Sequence, residues 1–130
     1  MNCTKCKTKA VIALPRHNAA FCKGCFNGFV HDQVARAIKS EKMFRRDDRI
    51  LVAVSGGKDS LALWDILLKL GYKADALYVN LGIGTYSEES HAKVTKFAQA
   101  VAGSHQATLH LHRVEQEAGA GIKELAQLIP

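Results

Sequence analysis

ILVAVSGGKDSLALW, residues 50–64, passes from a β-branched apolar run through a glycine pair into a second apolar run. Ile50 to Val54 predicts a parallel strand buried on both faces, because only such a strand dispenses with polar alternation. Ser55-Gly56-Gly57 predicts a turn, and Ser60 to Leu70 predicts an apolar helix closed by Gly71 at its C-terminus. A glycine turn between a buried strand and a helix is where an open α/β sheet holds its ligands. Gly56 and Gly57 lack the Cβ atoms that would keep an anion off the backbone. Their N–H groups, with those of Lys58 and Asp59, face an anion at the helix N-terminus. Ser55 and Ser60 add hydroxyls, and Lys58 adds a point charge. The Walker-type phosphate loop does not fit, since it needs a glycine where Val52 stands and Ser or Thr where Asp59 stands. A carboxylate beside phosphate makes sense if Asp59 holds Mg²⁺, caps the helix or orients Lys58.

Outward from this loop, the pattern of strand, helix, strand, helix, strand continues. Ala76 to Asn80 predicts a second strand, and Ser87 or Ser90 caps a helix running to about Val101. Thr108 to Leu111 predicts a third strand, made less apolar by His110 and His112. A short helix is expected at Ile122 to Leu128. The alternation reads as half of a doubly wound α/β domain, with a small parallel sheet of three strands. Upstream, Phe26, Phe29, Val30, Val34, Ala37 and Ile38 recur at three- and four-residue steps, which predicts an amphipathic helix from Phe26 to Phe44. Trp64 reads as core. His31, His91, His105, His110 and His112 have no ligand spacing and read as surface or strand residues. The chain therefore divides into residues 1–25, a linking basic helix over 26–48, and an α/β domain over 49–130.

Of 130 residues, 48% are hydrophobic and 23% charged, the balance of a water-soluble globular chain. No apolar run approaches the roughly 20 residues that span a bilayer, and the N-terminus lacks the apolar core of a secretory signal. The expectation is a cytoplasmic protein that does not enter a membrane. The net charge of +6 is uneven. Residues 1–49 hold 11 Lys and Arg against 4 Asp and Glu, while residues 50–130 hold 7 against 8. A basic amino-terminal third beside a neutral remainder fits a polyanion partner, nucleic acid first, or a solvated basic surface.

All 4 cysteines lie in the first 25 residues, as Cys3, Cys6, Cys22 and Cys25. Two CxxC pairs at this separation match a four-thiolate zinc site, whose complete shell leaves no position for water. Paired disulfides and redox CxxC motifs are the alternatives; a cytosolic chain disfavours the first and the absence of a βαβ context disfavours the second. His17 lies between the pairs and is not needed as a ligand. A segment this short and polar requires a metal to fold.

Ser55-Gly56-Gly57-Lys58-Asp59-Ser60 resembles the SGGxDS pyrophosphate loop of the N-type ATP pyrophosphatases, whose fold is the adenine nucleotide alpha hydrolase type. The cysteine knuckle, Leu81-Gly82-Ile83-Gly84-Thr85-Tyr86-Ser87 and Gly119-Ala120-Gly121-Ile122-Lys123-Glu124-Leu125 are similar to the tRNA 2-thiolation enzymes of the TtuA type. That resemblance implies adenylation of a tRNA uridine at its C2 oxygen, release of pyrophosphate, and replacement of oxygen by sulfur from a carrier protein or sulfide. It implies ATP and Mg²⁺ as cofactors beside structural zinc on the four cysteines. Ser55, Gly56, Gly57, Lys58, Asp59 and Ser60 would hold the phosphates, Ala53 and Val79 would contact adenosine, and Lys58 and Asp59 would be catalytic. The family also carries a further CxxC with an iron–sulfur cluster, a fourth strand, a GHNxDDxA-like motif and a second zinc site, none of which is in these 130 residues. The expectation is an amino-terminal part, or one half of a split enzyme, inactive alone unless a second chain or homodimer partner completes it. A different class of function, a non-catalytic zinc module binding RNA or a partner with a residual nucleotide site, is separated from it by the response of ATP binding to Lys58→Ala.

Overall fold

The computed structural model describes residues 1–101 and 105–114. The chain divides into two compact units, Met1–Arg45 and Arg46–Pro130. The short helix expected at residues 122–128 lies outside the described residues, as does the stretch from Gly119.

In the first unit, strands β1 (Ile12–Leu14) and β2 (Ala19–Phe21) pair antiparallel. A 3-10 turn at Pro15–His17 joins them, with Asn18 in the left-handed region at φ 48°. Proline presets the first φ of such a turn and asparagine tolerates the last. This hairpin was not predicted: three-residue strands are too short to show an alternation. Helix α1 runs from Lys23 to Ser40, not from Phe26 to Phe44. It starts early because the second cysteine pair forms its first turn, where the Phe26 N–H reaches the Cys22 carbonyl at 2.9 Å. It stops early because Lys42, at φ 49°, turns the chain back. The Met43 and Lys42 N–H groups then bond to the carbonyls of Ile38 and Lys39, at 3.0 and 3.2 Å. Those two bonds form a Schellman ending with lysine in the usual glycine position. The predicted apolar stripe is only half-buried apart from Ile38. Phe29 stacks on Phe21 with ring centroids 5.1 Å apart.

The second unit is built on a parallel sheet in the order β3 (Arg49–Val54), β4 (Lys73–Asn80), β5 (Leu109–Arg113). Ala53 stands opposite Leu77, and Val79 opposite His112. Helices α2 (Lys58–Lys69) and α3 (Gly84–Val101) connect the strands and pack on one another. They cover the face that carries Val52, Val54, Ala74, Ala76 and Tyr78, all buried. Trp64 of α2 is fully buried, and its indole N–H donates to the Ala74 carbonyl at 2.9 Å. Gly71, at φ 92°, ends α2 in the same Schellman arrangement, with the Tyr72 N–H on the Leu67 carbonyl at 3.0 Å.

The expectation that β3 is buried on both faces does not hold among the described residues. Leu51 is 58% exposed and Val79 38% exposed on the opposite face. The reason is topological: successive crossovers of one hand, stepping one way across a sheet, put their helices on the same side. The described helices of this unit, α2 and α3, both lie on that side. Among the described residues no helix is long and apolar enough to cross a membrane.

Strand β5 is pinned at its start by Asp75 on β4. One carboxylate oxygen accepts the Thr108 N–H at 2.9 Å, and the other meets His110 Nε2 at 3.1 Å. The Thr108 N–H first, and His110 next after a smaller opposing effect of burial, hold the Asp75 carboxyl below its ordinary value. Folding therefore favours the carboxylate, and its contribution to stability is present above about pH 4 and lost as pH falls through the lowered value. Asp75→Asn is expected to speed amide exchange at Thr108 and to lower the melting temperature at pH 6. The gap from the unsubstituted protein should close as the melts are repeated in acid.

Candidate functional site

At the carboxyl end of β3 the backbone must reverse into α2 within three residues. Gly56 makes this possible at φ 83°, in the region glycine enters without cost. Gly57 is the residue before the helix, extended at φ −76° and ψ 155°, and no side chain caps the first turn. The early N–H groups of α2 are thus left for an anion. Ser60 folds back across the loop. Its hydroxyl accepts the Ser55 N–H at 3.1 Å and donates to the Gly57 carbonyl at 3.3 Å. The Ser55 hydroxyl lies 3.4 Å from that of Ser60 and accepts the Gly57 N–H at 3.4 Å. The serines therefore hold the ring of the loop closed. Lys58 and Asp59 are exposed, and neither has a hydrogen-bond or ion-pair partner among the described residues. Of the three roles read for Asp59, helix capping and orientation of Lys58 are not in use in this arrangement. A free carboxylate and a free ammonium side by side at a helix N-terminus suit a magnesium-bound polyphosphate.

Beside the loop opens a cavity of about 260 Å³ between the ends of β3 and β4 and the start of α3. Ala53, Ser55, Val79, Leu81, Tyr86 and Ser90 are among its lining residues, so the two positions read for adenosine share one pocket with the first residue of the loop. The strand pairing explains this: Ala53 and Val79 point to the same face, two rungs apart. A second cavity, of about 390 Å³, lies at the amino ends of the strands near Arg49 and Asp75. Open α/β sheets bind ligands at the carboxyl ends, so the smaller pocket is the candidate.

Sequence reasoning missed the network that fixes the pocket's rim. Asn80 is 2% exposed at the end of β4. Its side-chain Oδ1 accepts the Gly82 N–H at 2.9 Å, and its side-chain Nδ2 lies 3.4 Å from both Glu88 Oε1 and His91 Nδ1. Ser87 accepts the Ile83 N–H at 2.8 Å, and the Tyr78 hydroxyl donates to the Ser87 carbonyl at 3.0 Å. Together these set the course of residues 81–84. The signal available in sequence was a lone asparagine ending an apolar strand, which by itself reads as a loop residue. Tyr86, 68% exposed at the pocket mouth, was likewise passed over. His91 belongs to this network and His110 to the Asp75 pair, so these two are structural partners rather than plain surface residues.

In the first unit the Sγ atoms of Cys3, Cys6, Cys22 and Cys25 all lie within 4.8 Å of one another. Cys3 is fully buried, and none of the four is in a disulfide. Thiolates around a single zinc ion at about 2.3 Å stand roughly 3.8 Å apart, so the set fits one tetrahedral ion. The Cys6 N–H approaches the Cys3 sulfur at 3.5 Å, and Lys7, just after the first pair, takes φ 67° as the chain turns away. That N–H is the first cause that brings the Cys3 thiol down to about 6. The Cys25 N–H likewise lowers Cys22. Cys25 itself is pushed up to about 12, first by its contact with the Cys22 sulfur and then by burial. Backbone donors thus favour thiolate at Cys3 and Cys22, while the contact with the Cys22 sulfur and burial favour the protonated thiol at Cys25.

Residues 2–27 match the family model of the amino-terminal LIM domain of the 2-thiouridine synthetase TtuA, and residues 29–128 match that of the PP-loop domain. The chain is 39% identical over 128 residues to the tRNA-5-methyluridine(54) 2-sulfurtransferase of Thermus thermophilus, covering 98% of itself and 39% of that protein. It is 46% identical over 99 residues to the protein of the same name from Thermotoga maritima, covering 76% and 33%. Among solved structures, the U34-tRNA thiolase NcsA of Methanococcus maripaludis superposes with a TM-score of 0.76 at 21% identity, over 100% of this chain and 44% of that one. The chain thus spans about two fifths of the length of such relatives.

Three substitutions test these geometries. A Cβ on Gly56 would lie 3.0 Å from Ser90 Cβ, whereas one on Gly57 would meet only the Ser55 hydroxyl, at 3.4 Å. Gly56→Ala is therefore expected to cost about 1–3 kcal/mol and Gly57→Ala much less, as read from denaturant melts. Cys25→Ser should leave the protein with well under one bound metal per chain by elemental analysis. It should also reduce the structure of the first unit, because metal binding supplies folding free energy of about 10–16 kcal/mol in such modules.

Proposed function

The chain belongs to the PP-loop domain family, and from that premise we propose that it serves the ATP-dependent 2-thiolation of a tRNA uridine in the cytoplasm. The observation that carries this reading is the adjacency of a capless, glycine-lined helix N-terminus and an apolar pocket of about 260 Å³ that share Ser55. In this reading a nucleoside triphosphate lies across that pair, with its base against Ala53 and Val79 and its phosphates over Gly56 to Ser60.

The chemistry follows from what oxygen lacks. A carbonyl oxygen at C2 of a uridine is a poor leaving group until it carries a phosphoryl group. In the proposed reaction that oxygen attacks the α-phosphorus of ATP, and the bond from the α-phosphorus to the bridging oxygen breaks. Pyrophosphate leaves with the electron pair. The backbone N–H groups of Lys58 and Asp59 and the Lys58 ammonium then face the charge that develops on it. Mg²⁺ would be held by the Asp59 carboxylate together with phosphate oxygens and would neutralise the departing charge. Sulfide, free or released by hydrolysis of a carrier thiocarboxylate, next attacks C2; the C2–oxygen bond breaks, AMP departs with the original oxygen, and loss of the sulfur's proton leaves the thiocarbonyl.

The metal of the four-cysteine module is proposed to be zinc in a structural role. Its support is the tight spacing of the sulfurs, since a four-iron cube holds its thiolates farther apart than one ion does, and the lack of an open position. All 4 cysteines of the chain belong to this module, so its residues offer no ligands for an additional iron–sulfur cluster, and no step is drawn through one.

ATP binding by the purified chain is the direct test. Lys58→Ala and Asp59→Asn should each weaken MgATP binding by tenfold or more in equilibrium dialysis, with the melting temperature unchanged. Binding that ignores both substitutions would place the nucleotide elsewhere and leave the reading without its site.

A further inference from the structure

The two helices that cover the sheet leave an open groove of about 820 Å³ between them, beginning at the phosphate loop and running down α2 and α3. Its floor includes Leu61 and the half-buried ring of Phe97. Lys58, Lys93 and Lys96 line it, all three exposed and none with an ion-pair partner among the described residues. The groove's carboxylate, Asp65, is already paired with Lys69 at 2.9 Å. Lys58 has the Asp59 carboxylate beside it, but Lys93 and Lys96 meet no offsetting charge among the described residues that line the groove, although the second unit as a whole is near neutral. Lys93 and Lys96 are three residues apart on one helix, so their stems are neighbours on one face. Ser90, one turn before Lys93, abuts Gly56 of the phosphate loop, which fixes the end of α3 nearest the site.

We propose that this groove is a track for the phosphodiester backbone of the RNA substrate, leading the strand toward the nucleotide site. Lys93 and Lys96 neutralise successive phosphates, and Phe97 offers the edge of its ring to a base. A charged groove with an aromatic side chain in it is how single-stranded nucleic acid is held without reading its sequence. Free pyrophosphate needs only the loop and would not use lysines one and two turns away from it. An acidic peptide meets the same charge, but continuity with the loop at which the target base must be presented favours RNA. The choice of RNA rests on the reading of function above; the unpaired charge of the groove does not.

The test is binding of an unmodified tRNA transcript to the full chain across a salt series, by fluorescence anisotropy. Each lysine–phosphate contact contributes about 0.7–0.9 to the slope of log affinity against log salt. The Lys93→Ala, Lys96→Ala double variant should lose roughly tenfold in affinity at low salt and about 1.5 in that slope. The Lys93→Arg, Lys96→Arg variant should keep both, and MgATP binding should be unchanged in either. An unchanged slope in the alanine variant overturns the proposal, as does tighter lysine-dependent binding of a polyglutamate peptide than of tRNA. A slope that falls in the alanine variant, together with no Lys58-dependent ATP binding by the unsubstituted chain, would instead fail the functional reading and leave the RNA track standing.

Discussion

The site depends on one backbone constraint: between Val54 and Lys58 the chain must leave a strand and enter a helix without spending the helix's first N–H groups. Three features meet it together. Gly56 takes a positive φ that a side chain would oppose, and its bare Cα lets α3 come in at Ser90. Ser60 reaches back to the Ser55 N–H and so closes the loop from the side away from the free donors. Parallel pairing of β3 with β4 then puts Ala53 and Val79 on one face, where the pocket forms. Remove the turn and neither the anion site nor the register around it remains.

Much of this was legible because it is local. A β-branched run, two glycines and a leucine-rich helix specify strand, turn and helix within twenty residues, and the boundaries of β3 moved by a single residue. Two CxxC pairs announce their metal for the same reason: chelate geometry is written into a three-residue spacing. Gly71 was read as the end of α2, and the left-handed turn there is where it was expected.

What was not legible came from contacts distant in sequence or from residues acting against their type. Lys7 and Lys42 occupy left-handed positions that favour glycine, so nothing in the text of the sequence marks the turn after the first knuckle or the end of α1. Asn80 finds Glu88 and His91 only after α3 folds onto β4. Asp75 reaches His110 across 35 positions. The burial of β3 was overread for a related reason. An apolar run records what a strand is suited to touch, while the covering of its second face depends on elements that lie elsewhere in sequence. Leu51 is suited to a core and is exposed among the described residues.

The single tryptophan of the chain sits in the helix that follows the phosphate loop, sealed from water and tethered to Ala74 on the neighbouring strand. Its emission is thus an optical probe of the second unit. The cysteine module has no indole, and its metal is followed instead through its thiolates. The two halves of the molecule can be watched separately, without a label, in one cuvette.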